Sequence, residues 1–359
     1  MKHQHGGNLT QMAARYGLDP DKIIDFSVNV NPLGPSPAIN TILENGLKYV
    51  TIYPDPYCET LKENCASRLG ISYDNLIFTN GAVELIYMVM QALRPRSVLI
   101  PSPTFREYEI AARAFQAKLK LFRLGREKGF TPGLKPLMRA ASDVDMVFLC
   151  NPNNPTGNLF PQEIRQPFLQ FCDTEGIFVV VDESFLIFHQ HWQELSAAIK
   201  TENNKNLLVL QSLTKFFSIP GLRVGYGAAH PQIISLLSRF QPPWQVNAIA
   251  QAAAAASLQD EEYCRRTRSF VEEERRWLES ALSAARGVKM HPSQGPYLLL
   301  ELDGALAAPC VAERLAARGI LVRDCSNFAY LGKNYIRVAV KDREKNRLLV
   351  NELTGLLKS

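Results

Sequence analysis

A lysine that follows an apolar run is the first residue of this sequence that could do covalent chemistry. Lys215 stands in the stretch NLLVLQSLTKFFSIPGLRVGY, behind an apolar run that ends at Leu210. Loss of solvent at the end of a buried strand lowers the pKa of a lysine and frees its amine to attack a carbonyl. Ser212 and Arg223 could bind an anion beside that amine, and pyridoxal 5'-phosphate offers both an aldehyde and a phosphate. A surface lysine in a loop would show the same local pattern, so the hypothesis depends on the other motifs.

Four further motifs follow apolar runs. Gly81, in TNGAV, lies where a strand-to-helix turn would offer backbone N–H groups to a phosphate. Phe105 could stack on a planar ring, although it could equally be a core aromatic. The heptapeptide NPNNPTG places the amides of Asn153 and Asn154 just beyond Cys150, and it is too specific for an ordinary turn. Asp182 ends the run IFVVV and needs a cationic partner, such as a protonated pyridine nitrogen, unless it caps a helix.

Alternating short apolar runs and helical stretches must position these motifs. The predicted strands are Asn75–Thr79, Ser97–Ile100, Leu119–Phe122, Val144–Cys150, Ile177–Val181 and Leu207–Leu210. Helices are predicted over Val83–Leu93 and Tyr108–Phe115, with further helical stretches between several later strands. This alternation predicts an α/β fold, with a mostly parallel sheet covered by helices on both faces. Ligands of such sheets bind at the carboxyl ends of the strands, which is where the motifs lie.

The composition of the chain divides it into three parts. Residues 1–45 form an N-terminal arm that joins the small domain, with a helix over Leu9–Tyr16 and the loop-like segment DFSVNVNPLGPSP. Residues 46–245 form a large cofactor-binding domain, and residues 246–359 form a small α+β domain. The small domain is predicted to contain helices Ala248–Leu258 and Glu261–Ala285 and strands Tyr297–Leu302, Leu321–Arg323 and Tyr335–Ala339.

Composition and charge narrow the function class. The 359 residues are 46% hydrophobic and 21% charged, as in a globular protein with a large core. A net charge of +5 without Lys-Arg runs does not favour a nucleic-acid partner. The seven cysteines form no CxxC pair, so neither a metal site nor a disulfide framework is predicted. The start MKHQHGGN lacks the apolar core of a signal peptide, and no apolar run reaches the roughly 20 residues that span a membrane, which predicts a cytoplasmic protein.

Together, the aspartate motif DESF, the heptapeptide NPNNPTG and SxxK with an arginine eight residues on resemble fold-type I pyridoxal-phosphate enzymes, the class I/II aminotransferase superfamily. The resemblance implies a mostly parallel seven-stranded sheet with helices on both faces, a smaller α+β domain and a homodimer with shared active sites. It implies that Lys215 binds the cofactor covalently, Asp182 pairs with the pyridinium nitrogen, Asn154 donates to the phenolic oxygen and Phe105 stacks on the ring. The implied phosphate-binding residues are Gly81, Ala82, Ser212 and Arg223, with Val83 beside them and Tyr53 of YPDPY from the neighbouring subunit.

A closer resemblance is to the threonine-phosphate decarboxylases of cobalamin biosynthesis, which are relatives of histidinol-phosphate aminotransferases. It rests on HGGN, DFSVNVNPLG, YPDPY, SLTKFFSIPGLRVGY, PPWQVNA and LVRDCSNF. Histidinol-phosphate aminotransferases usually carry tyrosine three residues after the aspartate, where this chain has Phe185. The resemblance therefore implies decarboxylation of L-threonine O-3-phosphate, or of L-serine O-phosphate, with histidinol-phosphate aminotransferase as the alternative.

The substrate anion is expected to lie against the C-terminal part of the chain. Arg337, in YIRVAV, matches the family's anion-binding arginine, and Arg337 and Arg323 are each expected at the end of a short strand. The other expected substrate-binding residues are His5, Asn8, Asn31 and Asn154.

Two other classes are less favoured. SxxK is also the nucleophile motif of penicillin-binding hydrolases, but no KTG or SDN accompanies it. A cofactor-binding regulator usually carries an N-terminal DNA-binding domain, for which the sequence before residue 50 leaves no room.

Overall fold

The computed structural model describes residues 6, 7, 9–304 and 306–358. Its helices are α1 (Leu9–Tyr16), α2 (Asn40–Glu44), α3 (Gly46–Val50), α4 (Glu59–Leu69), α5 (Ala82–Leu93), α6 (Glu107–Ala114), α7 (Leu134–Ala141), α8 (Gln162–Thr174), α9 (Trp192–Leu195), α10 (Leu213–Phe216), α11 (Pro231–Ser238), α12 (Ala248–Gln259), α13 (Glu261–Ser283), α14 (Ala308–Ala316) and α15 (Arg343–Lys358). Its strands are β1 (Ile24–Asp25), β2 (Leu76–Thr79), β3 (Ser97–Ser102), β4 (Lys118–Arg123), β5 (Met146–Cys150), β6 (Phe178–Asp182), β7 (Leu207–Ser212), β8 (Gly225–Ala229), β9 (Val288–His291), β10 (Tyr297–Leu302), β11 (Ile320–Leu321), β12 (Arg323–Asp324) and β13 (Tyr335–Ala339).

A seven-stranded sheet in the order β2-β8-β7-β6-β5-β3-β4 forms the centre of the fold. Strand β8 is antiparallel to both of its neighbours, and every other pair in this sheet is parallel. The predicted α/β fold with a mostly parallel sheet is therefore confirmed. Because parallel strands share one direction, the carboxyl ends of β3, β5, β6 and β7 meet at one edge of the sheet.

Both faces of this sheet are buried, which explains why its strands read as continuous apolar runs. Successive side chains of a strand point to opposite faces. In β5, Val147 and Leu149 pack into the cluster on one face, whereas Met146, Phe148 and Cys150 pack into the cluster on the other face. Helix α12 also packs on the first face, through its alanines.

A smaller antiparallel sheet, in the order β12-β13-β10-β9, packs with α13, α14 and α15 around a separate core. The N-terminal segment joins this core through Phe26, and β1 pairs in parallel with β11. The same segment reaches the large sheet, where Asn31 N donates to Lys215 O at 3.0 Å. The division of the chain at residues 45 and 245 stays a prediction. No helix in the described ranges combines the length and the apolar character needed to cross a membrane.

The structure corrects the strand pattern expected for the C-terminal part. The stretch Leu321–Arg323 is not one strand, because Leu321 pairs with Asp25 while Arg323 pairs with Arg337 in the other sheet. Arg323 therefore begins β12, and Arg337 lies in the middle of β13, so neither arginine ends its strand. Strands β8 and β9 were not predicted.

Gly225 is a position where the backbone of two elements leaves no room for a side chain. A Cβ there would meet Ala82 N at 2.5 Å and Gln211 O at 2.8 Å. We expect Gly225→Ala to lower the free energy of unfolding by about 1–3 kcal/mol, because overpacking forces the backbone to move. Urea denaturation would measure the loss. Gly221→Ala is the matched control, since nothing lies within 4 Å of its added Cβ, and equal stability losses in both variants would contradict the steric explanation.

Candidate active site

Two connected cavities lie at the edge where the strands of the large sheet end. The inner chamber, of about 90 Å³, is lined by Ala82, Asp182 and Ser212, among others. The outer cleft, of about 520 Å³, is bounded by Ser27, Asn29, Arg106, Arg323 and Arg337. The two cavities share Val83, Phe105, Asn154, Phe185, Lys215 and Arg223. The inner chamber therefore opens directly onto the outer cleft.

Asp182 is a buried carboxylate without an ion-pair partner among the described residues. It is the last residue of β6 and is only 7% exposed. Tyr108 Oη donates to Asp182 Oδ2 at 2.7 Å, and Ser184 N donates to Asp182 Oδ1 at 2.9 Å. Within the described ranges no lysine, arginine or histidine forms an ion pair with this carboxylate. A protonated ring nitrogen would supply the missing charge.

Lys215 has the amine expected of a covalent cofactor ligand. Helix α10 carries it out of β7, and its Nζ donates to Thr214 Oγ1 at 3.1 Å. Thr214 Oγ1 in turn lies 2.8 Å from Ser212 Oγ. Burial, and then the charge of Arg223, lower the pKa of Lys215 to about 8, while Asp182 raises it. At neutral pH a sizeable fraction of the amine is consequently unprotonated.

The lowered pKa of Lys215 predicts selective reactivity in the cofactor-free protein. At pH 8 about half of its amine is free, against roughly one part in three hundred for an ordinary lysine. Acetylation by a small anhydride, followed by peptide mass spectrometry, should therefore modify Lys215 with a half-maximal rate near pH 8. The exposed Lys205 is the control, and its labelling is followed in the same samples. Coincident pH profiles for the two lysines would contradict the shift.

A candidate anion cradle lies where β2 leads into α5. The first N–H groups of a helix have no partner within that helix and attract anions. Gly81, with φ of 87°, turns the chain into α5, and a Cβ on it would collide with the guanidinium of Arg223. Arg223 itself adopts a left-handed backbone, with φ of 57°. This unusual conformation places a cation against the helix start, beside Ser212 in the same chamber.

Two arginines form part of the wall of the outer cleft, which Lys215 also lines. Arg337 is buried, and its Nη1 donates to Asn154 Oδ1 at 2.5 Å while its Nη2 donates to Ser27 O at 2.6 Å. Its Nε has no hydrogen-bond partner in the described structure. Arg323 lies beside it on the adjacent strand and donates to Asp324 O at 2.8 Å and to Asn327 Oδ1 at 2.9 Å. Neither arginine forms an ion pair with a described carboxylate, so the wall is suited to an anion.

Asn154 connects the two cavities. Because arginine can only donate, the side-chain oxygen of Asn154 must face Arg337. Its Nδ2 then has no acceptor among the described residues and remains available to a ligand oxygen.

Two of the expected site residues, Asn31 and Tyr53, lie outside these cavities. Asn31 is only 3% exposed, and its Nδ2 donates to Phe216 O, Tyr263 Oη and Thr267 Oγ1. The Asn31 amide therefore packs against α10, the helix that carries Lys215, and does not line the cleft. Tyr53 is 78% exposed, with its ring 4.8 Å from that of Trp244. His5 and Asn8 lie outside the described residues.

Several residues of the site were missed from the sequence. Tyr108, the donor to Asp182, stacks on Phe148 inside the large core, and no motif marks it. Asn29, whose Oδ1 is buried without a partner in the described structure, lies two residues before the asparagine that was predicted. Arg106 follows Phe105, which was a predicted site residue. Its positive charge was the only feature of the sequence that could have marked it as a site residue.

The inner chamber fits pyridoxal 5'-phosphate in its donors and its charges. It combines a reactive amine at Lys215, a carboxylate without a cation at Asp182 and an anion cradle at Gly81 and Arg223. Phe105 lies at its wall, with its ring 5.6 Å from that of Tyr108.

Comparisons with known proteins match this arrangement. Residues 21–353 match the family described as aminotransferase class I and II. The threonine-phosphate decarboxylase of Salmonella typhimurium is 33% identical over 357 residues, 98% of this chain and 97% of that protein. The histidinol-phosphate aminotransferase of Methanocaldococcus jannaschii is 32% identical over 339 residues, 93% of this chain and 89% of that protein. The crystal structure of L-threonine-O-3-phosphate decarboxylase from Porphyromonas gingivalis superposes with a TM-score of 0.83 and 28% identity, covering 94% of this chain and 100% of that one.

Proposed function

The chain belongs to the aminotransferase class I and II family of pyridoxal-phosphate enzymes, and we propose that it decarboxylates L-threonine O-3-phosphate to (R)-1-amino-2-propanol O-2-phosphate. Its branch contains threonine-phosphate decarboxylases and histidinol-phosphate aminotransferases, which resemble this chain to nearly the same degree. L-serine O-phosphate is a further expected substrate, and a place in cobalamin biosynthesis is part of the proposal.

The side-by-side arrangement of Arg323 and Arg337 carries this proposal. They are direct partners across β12 and β13, and both line the outer cleft. A phosphate group carries about −1.5 to −2 charges at pH 7 and three acceptor oxygens, which suits two guanidinium groups better than one carboxylate does. Decarboxylases of a phosphorylated amino acid are also among the relatives.

The residues of the inner chamber receive roles that follow from their geometry. When bound, pyridoxal 5'-phosphate supplies an aldehyde that condenses with amines and a ring that accepts the electrons of the bond that breaks. In this proposal Lys215 binds the cofactor covalently and Asp182 pairs with its ring nitrogen. Asn154 Nδ2 donates a hydrogen bond to its phenolic oxygen. The phosphate is assigned to Gly81, Ala82, Val83, Ser212 and Arg223. After the carboxylate leaves as carbon dioxide, Lys215 Nζ would donate the proton that replaces it at Cα.

Binding of the substrate phosphate determines which bond is presented for cleavage. The cofactor would supply an electron sink, and the residues that hold the substrate would decide which of its bonds is presented to that sink. If Arg323 and Arg337 hold the phosphate, they are not available to the substrate carboxylate, which would then face the rest of the cleft wall. The remaining wall of the cleft includes Val28, Phe185 and Phe328, which are apolar and favour loss of a carboxylate charge.

Phe185 is a second observation in favour of decarboxylation. It is buried, lines both cavities and packs edge-on against Tyr297 at 5.0 Å. Phenylalanine has no hydroxyl, so this position offers no donor to the cofactor, in contrast to the tyrosine of histidinol-phosphate aminotransferases.

Carbon dioxide release tests the proposal directly. The purified holoenzyme should release carbon dioxide from L-threonine O-3-phosphate, and unphosphorylated L-threonine is the control. A parallel assay supplies histidinol phosphate and 2-oxoglutarate and follows glutamate. Glutamate formation without carbon dioxide release would replace the proposal with histidinol-phosphate aminotransferase, which the similarity to the Methanocaldococcus jannaschii protein keeps as the second candidate.

We further propose that the chain acts as a homodimer whose two active sites share residues. An apolar surface lies exposed over Leu47, Val50, Ile52, Tyr53 and Tyr57. Exposed apolar side chains so close in sequence are typical of a protein–protein interface. The position of Tyr53, outside its own chain's cavities, is what a residue that reaches into the neighbouring site would show.

Hybrid dimers should reveal the sharing. Tyr53→Ala and Lys215→Ala homodimers are each expected to be impaired, whereas a mixture refolded together should recover activity. The physical reason is that one of the two sites in a hybrid dimer contains both native residues. Differently tagged subunits allow the hybrid to be isolated before the assay. A purified hybrid no more active than the two parents would show that each site is built from one chain.

A further inference from the structure

Arg106 is a cation in the outer cleft that has no role in the function proposed above. It directly precedes α6 and is half-buried at the cleft wall. In the part of the chain that the structure describes, its side chain makes neither a hydrogen bond nor an ion pair. Glu107, the adjacent carboxylate, accepts a hydrogen bond from Tyr87 Oη at 2.8 Å.

The charge of Arg106 acts on Arg323, one of the two arginines already described. Burial lowers the pKa of Arg323, and the positive charge of Arg106 lowers it further. Arg323 cannot turn away easily, because it is bonded to Asp324 O and Asn327 Oδ1 and lies over the ring of Phe328 at 5.2 Å. Arg106, Arg323 and Arg337 together form the three-arginine wall.

A wall of three like charges is unfavourable without a counter-charge. Like charges repel most strongly where solvent is partly excluded, and the described residues form no ion pair with any of the three guanidinium groups. An anion in the cleft would relieve this repulsion. One negative charge is already well matched by Arg323 and Arg337, so a third cation adds most when the ligand carries a second negative charge.

We propose that Arg106 is a substrate-binding residue that makes the cleft selective for a doubly charged phosphate over a singly charged anion of similar shape. The proposal rests on the proposed function, because it assigns the substrate phosphate to the same wall. It extends that function by naming a contact residue and the charge state that the site prefers.

Matched ligands separate charge from shape. At pH 9, 3-phosphonopropionate carries a mostly dianionic head and 3-sulfopropionate a monoanionic head, and neither has an amine to react with the cofactor. We would titrate each into the native holoenzyme, Arg106→Ala, Arg106→Lys and Arg113→Ala by isothermal calorimetry. Arg113 is an exposed arginine of α6, the helix that Arg106 precedes, and serves as the control.

The native protein should bind the phosphonate at least about tenfold more tightly than the sulfonate. Arg106→Ala should weaken phosphonate binding about tenfold and sulfonate binding by less than threefold, Arg106→Lys should retain most of the preference and Arg113→Ala should change neither affinity. Equal losses for both ligands, or no loss in Arg106→Ala, would overturn the proposal. So would a native protein that binds neither ligand. Turnover of L-threonine O-3-phosphate by the native enzyme is measured alongside, since its absence would overturn the proposed function itself.

Discussion

Lys215→Ala is expected to reduce turnover by at least about a thousandfold and to remove covalent cofactor attachment. The same amine is assigned both the bond to the cofactor and the proton transfer at Cα, and a positioned acid or base alone contributes about 10²- to 10⁴-fold. Borohydride reduction of the native holoenzyme should fix the cofactor to a peptide that contains Lys215. The variant should show no such label and should lack the absorbance of the attached cofactor.

Lys205→Ala is the control, because this exposed lysine lies ten residues earlier and outside both cavities. It should retain native labelling and turnover. Labelling of a different lysine in the native protein would remove the basis of the whole assignment.

Arg337→Lys is expected to slow decarboxylation of L-threonine O-3-phosphate by at least about tenfold. Lysine keeps the charge but loses the planar fork through which Arg337 contacts Asn154 Oδ1 and Ser27 O. A tenfold loss in kcat/KM corresponds to roughly 1.4 kcal/mol of transition-state stabilisation. Steady-state kinetics on the purified holoenzyme would measure it, together with a urea unfolding curve to show that the variant is folded.

Arg314→Lys, an exposed substitution on α14, controls for the change of residue type. Native rate and affinity in both Arg337→Lys and Arg323→Ala would show that the substrate phosphate is bound elsewhere.

The sequence predicted the strand ends of the large sheet well, because its buried strands are apolar on both faces. The runs ending at Cys150, Val181 and Leu210 stand out for this reason, and the structure places residues that follow them together. Strand β8, with the sequence GYGAA, was not predicted because glycine and alanine carry no strand signal. Its glycines reflect close packing against neighbouring backbone, as at Gly225, which only a three-dimensional arrangement reveals.

The outer cleft was harder to predict than the inner chamber. Its residues come from the N-terminal segment, α6 and the small sheet, and no local pattern shows which side chains of an irregular segment face a cavity. Asn29 and Asn31 illustrate the difficulty. Asn29 lines the cleft, whereas Asn31 is enclosed behind α10. The direction of the Asn31 amide is set by hydrogen bonds to Phe216 O and Tyr263 Oη, which are distant in sequence.

The two bonds that Arg337 makes to Ser27 O and Asn154 Oδ1 determine when its conformational freedom is lost. An arginine side chain carries about 2 kcal/mol of rotamer entropy. On an open surface, that entropy would be lost at the moment an anion binds. In this protein the guanidinium is fixed when the chain folds, because segments far apart in the sequence already hold it. The free energy of its contact with an anion is therefore available to hold and orient the substrate, and little of it is consumed in ordering the protein.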